Sequence, residues 1–456
     1  MSLFGALNTA VSGLGAQSAA FGNISDNVAN SQTTGYKAVD THFIDILTTS
    51  SATDNEPGSV SALPSYTNNV QGTISQSSDA LAMAISGQGF FSVSEAAGSS
   101  IAGQPNFNPQ TYYTQAGDFQ LNDNSYLVNG AGQYLQGWTV NPQTDVVNQS
   151  TLAPIQITQT QFNPVPTSSI SLSANLPATP AANTPVSSQI DVYDSLGNAH
   201  TLTLNWTQNT VGGVAGGVPI ANDWIVTITS PDNVAAGPPP TALTTIGSAE
   251  VQFGAASPNG VPAGTIGSFG PALGGGTTLA GTAFGAGQPA SLTLPTDFGN
   301  GLQNISLNLG QFGLASGVTQ FAGSTYTQGS LSQNGVAPGA FTGISITNSG
   351  DVVANYNNGE TQTVAQVPIT TFAAPDSLQR QNGQAFTATT NSGQAITQSE
   401  GTNGAGSLVI GSTESSNVDI ATQFSDLIVA QQAYGANAKV VTTADQLLQV
   451  TINMIQ

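Results

Sequence analysis

The chain has 456 residues, no cysteine, and 24 Asp and Glu against three Lys and Arg, for a formal net charge of −21. The lack of cysteine excludes disulfides, thiolate metal sites and thiol catalysis, and the lack of clustered cations excludes nucleic acid and anionic membrane surfaces as partners. Charged residues are 6% of the chain at a mean hydropathy of zero, so Ser, Thr, Asn, Gln and exposed backbone must keep it soluble, and its length calls for about three domains.

At the N-terminus Leu3, Leu7, Ala10, Leu14, Gln17, Phe21, Ile24 and Val28 recur three and four apart, with only Gln17 polar. That spacing predicts a helix that packs along one seam. Gly5, Gly13, Gly15 and Gly22 fall inside it, each costing a helix interior about 1 kcal/mol relative to alanine, so the helix needs support from outside itself. Residues 1–30 lack the charged start, apolar block and small-residue cleavage site of a signal peptide, and no apolar run near the length of a membrane span occurs. If the protein is exported, the expected route reads an intact N-terminus.

Polar turn formers and a glycine end the helical period over Val28-Ala29-Asn30-Ser31-Gln32-Thr33-Thr34-Gly35-Tyr36-Lys37. Lys37, Arg380 and Lys439 are the only basic residues, which leaves 38–379 without any Lys or Arg. Ile85 to Val93 reads as strand, glycine turn, strand, and Gly117 to Gly130 with Leu135 to Trp138 continues in hairpin style. Further on, Asp194 to Asn198 reads as a turn between alternating strands, with Thr201, Thr203 and Asn205 facing away from Leu202 and Leu204. From Gly212 to Gly301 the Gly- and Pro-rich stretches, such as Gly274-Gly275-Gly276, suggest loops and variable surface.

The helical spacing returns at Ile420, Phe424, Leu427, Gln431, Tyr434, Ala438, Val441, Asp445, Leu448, Ile452 and Ile455, with only Gln431 and Asp445 polar. A single helix over 418–456 would span about 58 Å, more than the first helix can cover, which leaves part of its seam for another chain. The alternative from the seams alone is an ordinary bundle buried within one monomer. Polar interruptions of such a seam commonly fix register.

Catalytic readings find little support in the residue pattern. The two histidines, His42 and His200, have no metal-type partner spacing. Ser195 lies between Asp194 and His200 without a nucleophile elbow, and Asp191 and Asp194 read more simply as turn carboxylates than as a glycosidase pair. Gly117 to Asn124 is acidic without calcium-loop spacing, and no phosphate-binding glycine loop precedes a helix. No enzyme activity, cofactor or metal is expected.

The segment around Asn30, Gly35, Tyr36 and Lys37 is similar to the Ala-Asn-x-x-Thr-x-Gly-Tyr-Lys signature of the bacterial flagellar rod and hook proteins. Ser416-Asn417-Val418-Asp419, Ala430 to Tyr434 and Thr443 to Gln446 resemble the other end of that family's core, so Asn30, Gly35, Tyr36, Asn417, Gln431, Tyr434 and Asp445 fall on recurring positions. In the middle, Ile190 to Trp206 resembles the outer domain of the hook branch, and Gly350 to Glu360 with Gln366 to Ile369 the second half of its inner domain.

This resemblance implies a mainly β fold with long terminal helices in a coiled-coil-like base and two β-rich domains nested between them. The expected division is a helical core of 1–33 and 418–456, a connecting segment of 34–75 and 400–417, an inner β-domain of 76–146 and 321–399, and an outer domain of 147–320. It implies a subunit that self-assembles into the flagellar hook, the flexible tubular joint that transmits torque from rod to filament. Itself, the rod, the hook–filament junction protein, the hook cap and the type III export apparatus would be its partners, and the extracellular hook its location. Self-assembly is expected to rest on Leu3, Leu7, Leu14, Phe21, Ile24, Val28, Asn30, Gly35, Tyr36, Asn417, Ile420, Phe424, Leu427, Gln431, Tyr434, Val441, Asp445, Leu448 and Ile452. A distal rod protein of the same family and a secreted β-rich adhesin are the alternatives; the first is disfavoured by 191–206, the second by matched seams at both ends.

Overall fold

A computed structural model describes residues 3–50, 55–98, 105–141, 144–180, 184–211, 217–235, 241–242, 244–271 and 277–455. The chain is mainly β, with one long helix at each end, α1 (Leu3–Ala29) and α2 (Ile420–Ile455). It divides into two units: Met1–Gln159 with Thr342–Asn355 and Thr361–Gln456, and Thr160–Phe341 with Tyr356–Glu360.

The first unit holds both helices. Asp419 starts α2 as an N-cap, its carboxylate accepting from the Ala421 and Thr422 amides at 2.9 and 3.3 Å. These backbone hydrogen bonds, Thr422 first, hold its carboxyl below the ordinary value. Beside α1 lies an antiparallel hairpin, Val39–Ser50 paired with Asn55–Tyr66, tied to the helix by Asn23 donating to Thr41 at 2.9 Å and Thr9 donating to the Gly58 carbonyl at 3.0 Å. These two strands lie in the segment expected only to connect the helical core to the inner β-domain.

The β-rich part of this unit is an eleven-stranded sheet. Its strand Tyr134–Val140 pairs with Phe91–Ser94, Val147–Pro154 and Thr361–Gln366. Phe90, Tyr113, Phe372, Leu378 and Phe386 form an aromatic cluster beside it, with Tyr113 and Phe372 edge-on at 4.8 Å. Ile85 to Val93 does not close on itself as a hairpin. Met83–Ser86 pairs with Ser407–Ile410, and Phe91–Ser94 pairs with Tyr112–Thr114, so the glycines between them turn the chain from one sheet to another.

The second unit packs two sheets around one core. One is antiparallel and five-stranded, in the order Val186–Tyr193, Ala199–Thr210, Pro219–Thr229, Thr245–Phe253, Ile266–Pro271. In the other, Ser169–Asn175 lies parallel to Leu302–Gln311 and antiparallel to Thr327–Gln333. Alternate residues point inward: Leu202, Leu204, Trp206, Trp224, Val226, Ile228, Leu292, Leu294, Ile305 and Leu307 are all fully buried in one cluster. Thr201, Thr203 and Asn205 face the other way, half-exposed, as the alternation predicts.

Two sequence expectations change here. The described residues of 212–301 are largely strands that carry half of this core, because Thr, Ser and Gly alternate with Trp, Val and Ile instead of interrupting them; Gly274 to Gly276 lie outside the described residues. The chain crosses between units at 159/160, 341/342, 355/356 and 360/361, where the expected junctions of inner and outer domain are 146/147 and 320/321. Val147–Pro154 is a strand of the first unit's sheet and Thr327–Gln333 of the second's.

Candidate assembly surface

The helices meet, but not along the seam that the large apolar residues mark. The face that α1 buries consists of Ala10, Gly13, Ala16, Ala20, Ile24 and Asn27. From α2 come Gln423, Ala430 and Ala444, flanked by half-buried Leu427, Ala433, Asn437, Val441 and Leu448. Small side chains let two helix axes approach closely. A β-carbon on Gly13 would stand 2.7 Å from the Asn437 amide nitrogen, which accounts for one glycine that looked merely costly in sequence.

The expected seam is thereby split. Ile24 is buried, while Leu7, Leu14, Phe21, Val28, Leu427, Val441 and Leu448 sit half-buried on its flanks. Phe21 touches Tyr434 edge-on at 6.3 Å. Ile420, Phe424, Tyr434 and Ile452 are exposed, Phe424 by 53%, and so are Gln431 and Asp445, which therefore set no register between α1 and α2. The side chains of Leu3 and Ile455 lie outside the described residues. Exposed Ile428, Val429, Leu447 and Val450 add to α2's uncovered apolar surface, and Phe43, Ile44, Ile46 and Leu63 do the same on the hairpin.

Where α1 ends, the signature residues build a buried polar layer that binds the two ends of the chain together. Asn27 donates to Gln423 at 3.0 Å and accepts from the Val39 amide at 2.9 Å. Asn30 caps the last turn of α1 by donating to the Asp26 carbonyl at 2.9 Å. Gly35 takes a positive φ of 68° and donates to the Glu414 carbonyl at 2.8 Å; a β-carbon there would meet the Ala116 amide nitrogen at 2.5 Å. Asn417 accepts from the Ala38 amide at 2.7 Å and donates to Thr67.

Tyr36 is buried, donates to Asp26 at 3.0 Å and carries the Arg380 guanidinium 4.8 Å over its ring. Burial pushes its hydroxyl up to about 12, assisted by the Asp26 carboxylate and opposed by Arg380. At the centre Lys37 and Glu414, 1% and 2% exposed, form an ion pair of 2.6 Å. Lys37 also donates to the Val70 carbonyl at 2.7 Å, and Glu414 accepts from the Gly72 amide at 2.6 Å. Burial pulls the lysine's pKa down, and Glu414 works against that pull. Asn27, Gln423 and Glu414 went unnoticed in the sequence. The available clue was Lys37, a rare cation in a chain with few groups to pair it.

The residues weighed for catalysis have structural partners. Asp194 closes its turn by accepting from the Leu196 and Asn198 amides at 2.9 and 2.8 Å. Burial would raise its carboxyl, but hydrogen bonds led by Asn198 bring it down to about 2. His200 lies between Asp194 and Asp232 at 3.3 and 3.1 Å and stacks on Phe298. Asp191 accepts from Thr201 at 2.8 Å. Among the described residues no three His, Asp or Glu converge as a metal site.

Four family models match the chain in order: "Flagella basal body rod protein" over 7–37, "Flagellar hook protein FlgE/F/G D1 domain" over 84–175, "Flagellar basal body protein FlaE D2 domain" over 156–336 and "Flagellar basal body rod FlgEFG protein C-terminal" over 410–454. Flagellar hook protein FlgE of Brucella abortus is 30% identical over 458 residues and that of Salmonella typhimurium 29% over 461, covering 100% and 98% of both chains respectively. The crystal structure of Helicobacter pylori flagellar hook protein FlgE2 aligns at a TM-score of 0.47 and 14% identity, over 73% of this chain and 98% of that one.

Proposed function

The chain belongs to the flagellar hook protein family, and from that premise we propose how it builds a hook. It is a structural subunit of the bacterial flagellar hook. Its copies polymerise through the apolar flanks of α2 and the 39–66 hairpin, which one copy leaves in solvent. The observation that carries this reading is the exposure of Phe424, Ile428, Val429, Leu447 and Val450 along a helix whose opposite face is already covered by α1. Packing between neighbours buries those residues and stiffens the base, so folding and assembly are linked by mass action.

The β-sheets of the two units make the remaining contacts between copies. With no Lys or Arg in 38–379, those contacts use hydrogen bonds and small apolar patches, and weak contacts of that kind can slide as a bent tube turns and passes torque. The rod at one end, the junction protein at the other, the cap during growth and a type III export route that leaves the N-terminus uncleaved complete the reading.

Replacing Phe424 by Asp tests it. The side chain is exposed, so isolated-chain stability should change by less than about 0.5 kcal/mol, while polymer formation, followed by sedimentation and electron microscopy, should be lost. Normal tubes from Phe424→Asp would refute the role of this face.

A further inference from the structure

Lys37 is locked in an ion pair and Arg380 lies over Tyr36, so Lys439 is the one described cation whose charged group stands free in solvent. A chain of net charge −21 repels its own copies, and a single free cation is therefore well placed to define a contact. Lys439 follows Asn437, which faces Gly13 of α1, by two residues, so it projects about 200° round the helix, away from α1. Gly435, one turn earlier, is exposed with no atom near its missing β-carbon, which leaves the approach to Lys439 open.

The counterpart lies lower on α2. A groove of about 250 Å³ is walled by Ala20 and Ile24 of α1, Phe43 of the hairpin and Val429 of α2, and it holds Asp40 and Asp426. Neither carboxylate has a cation partner among the described residues. Burial and the nearby Asp426 charge push the Asp40 carboxyl up, as befits two like charges sharing a partly desolvated site without a counterion.

Resting on the self-assembly reading, we propose that this groove receives Lys439 of a second copy of the chain, the two acidic groups clasping its ammonium while Phe43 and Val429 cover its stem. The contact cannot form within one copy. Asp426 and Lys439 are thirteen residues apart on one continuous helix, roughly 20 Å along the axis and about 140° round it. Two different patches on well-separated sides of a helix make a head-to-tail contact, which propagates from copy to copy as a filament or a ring.

The test uses the full chain. Lys439→Glu should raise the concentration needed for polymerisation about tenfold, equivalent to ~1.4 kcal/mol, without altering the circular dichroism of the isolated chain. Adding Asp426→Lys to it should restore assembly. Because the chain has no cysteine, Lys439→Cys with Asp426→Cys should give a ladder of disulfide-linked oligomers on oxidation of the polymer, absent when Lys439→Cys is combined with Glu360→Cys. A Lys439→Glu chain that polymerises like the parent, or a ladder no stronger than that control, overturns the pairing and leaves self-assembly intact. Failure of the parent chain itself to polymerise overturns both.

Discussion

Trp206 and Trp224 are fully enclosed between the two sheets of the inserted unit, whereas Phe424 and Ile428, no less apolar, stand in solvent along α2. The inserted unit satisfies its apolar residues internally: each inner strand sets every second side chain into one core. The helical base meets through alanine, glycine and amide groups, with one buried ion pair below. A region that buries its large residues is complete as a single copy. One that buries its small residues and exposes its large ones leaves apolar surface that a single copy does not cover.

The contrast breaks most cleanly with one substitution in each region. In a Trp138→Phe background, where Trp206 and Trp224 of the inserted unit are the remaining emitters, Lys37→Met strands the buried Glu414 carboxylate and should cost about 3–5 kcal/mol, seen as early loss of helical dichroism during urea unfolding while tryptophan emission holds. Trp206→Ala opens a cavity in the second unit and should cost about 3–5 kcal/mol, with the tryptophan transition now moving first. If both substitutions shift both signals together, the two regions do not unfold separately and the comparison fails.

A smaller effect comes from pH. Asn209 donates to Asp223 and to Glu250 at 3.2 Å each on the face of the five-stranded sheet that turns from the core. Burial, then the shared hydrogen bond and charge of Glu250, raise Asp223 to about 7. No Lys or Arg exists in this unit to relieve the pair. The folded state therefore keeps a proton that the unfolded state releases, so the unit should lose stability as pH rises from about 4 to about 7 and level off above. Asp223→Asn should flatten that slope, as read from the midpoint of unfolding by tryptophan emission in the same Trp138→Phe background. The smallest effect separates two glycines of α1. Gly22 is exposed with nothing near its missing β-carbon, so Gly22→Ala should strengthen the isolated helix by up to about 1 kcal/mol. Gly13→Ala should gain less, because it presses on Asn437.

Both helices, the turn at Asp194 and the inward stripe of Leu202 and Leu204 were legible in sequence, since each follows from local spacing and turn chemistry. The true contact face of the helices was not. Periodicity draws attention to Leu7, Leu14 and Phe21, while the close approach is made one position round, at Gly13, Ala16 and Ala20. Lys37 and Glu414 are 377 positions apart, a separation no local pattern spans. The strands within 212–301 were hidden by glycine and proline in the segments between them, which masked an alternation as regular as that at Leu202.

The polar layer beneath the helices also imposes an order of events on the growing chain. A polypeptide is made, and threads any narrow passage, from one end, so Lys37 emerges long before Glu414, and closing so large a loop is entropically costly until its partner is present. Residues 160–341, nearly all of the second unit, are contiguous and can fold during that wait. A chain that stops short of residue 414 keeps a buried-type lysine without its carboxylate and never acquires a finished base. The layer thus makes a finished base conditional on a chain that reaches Glu414.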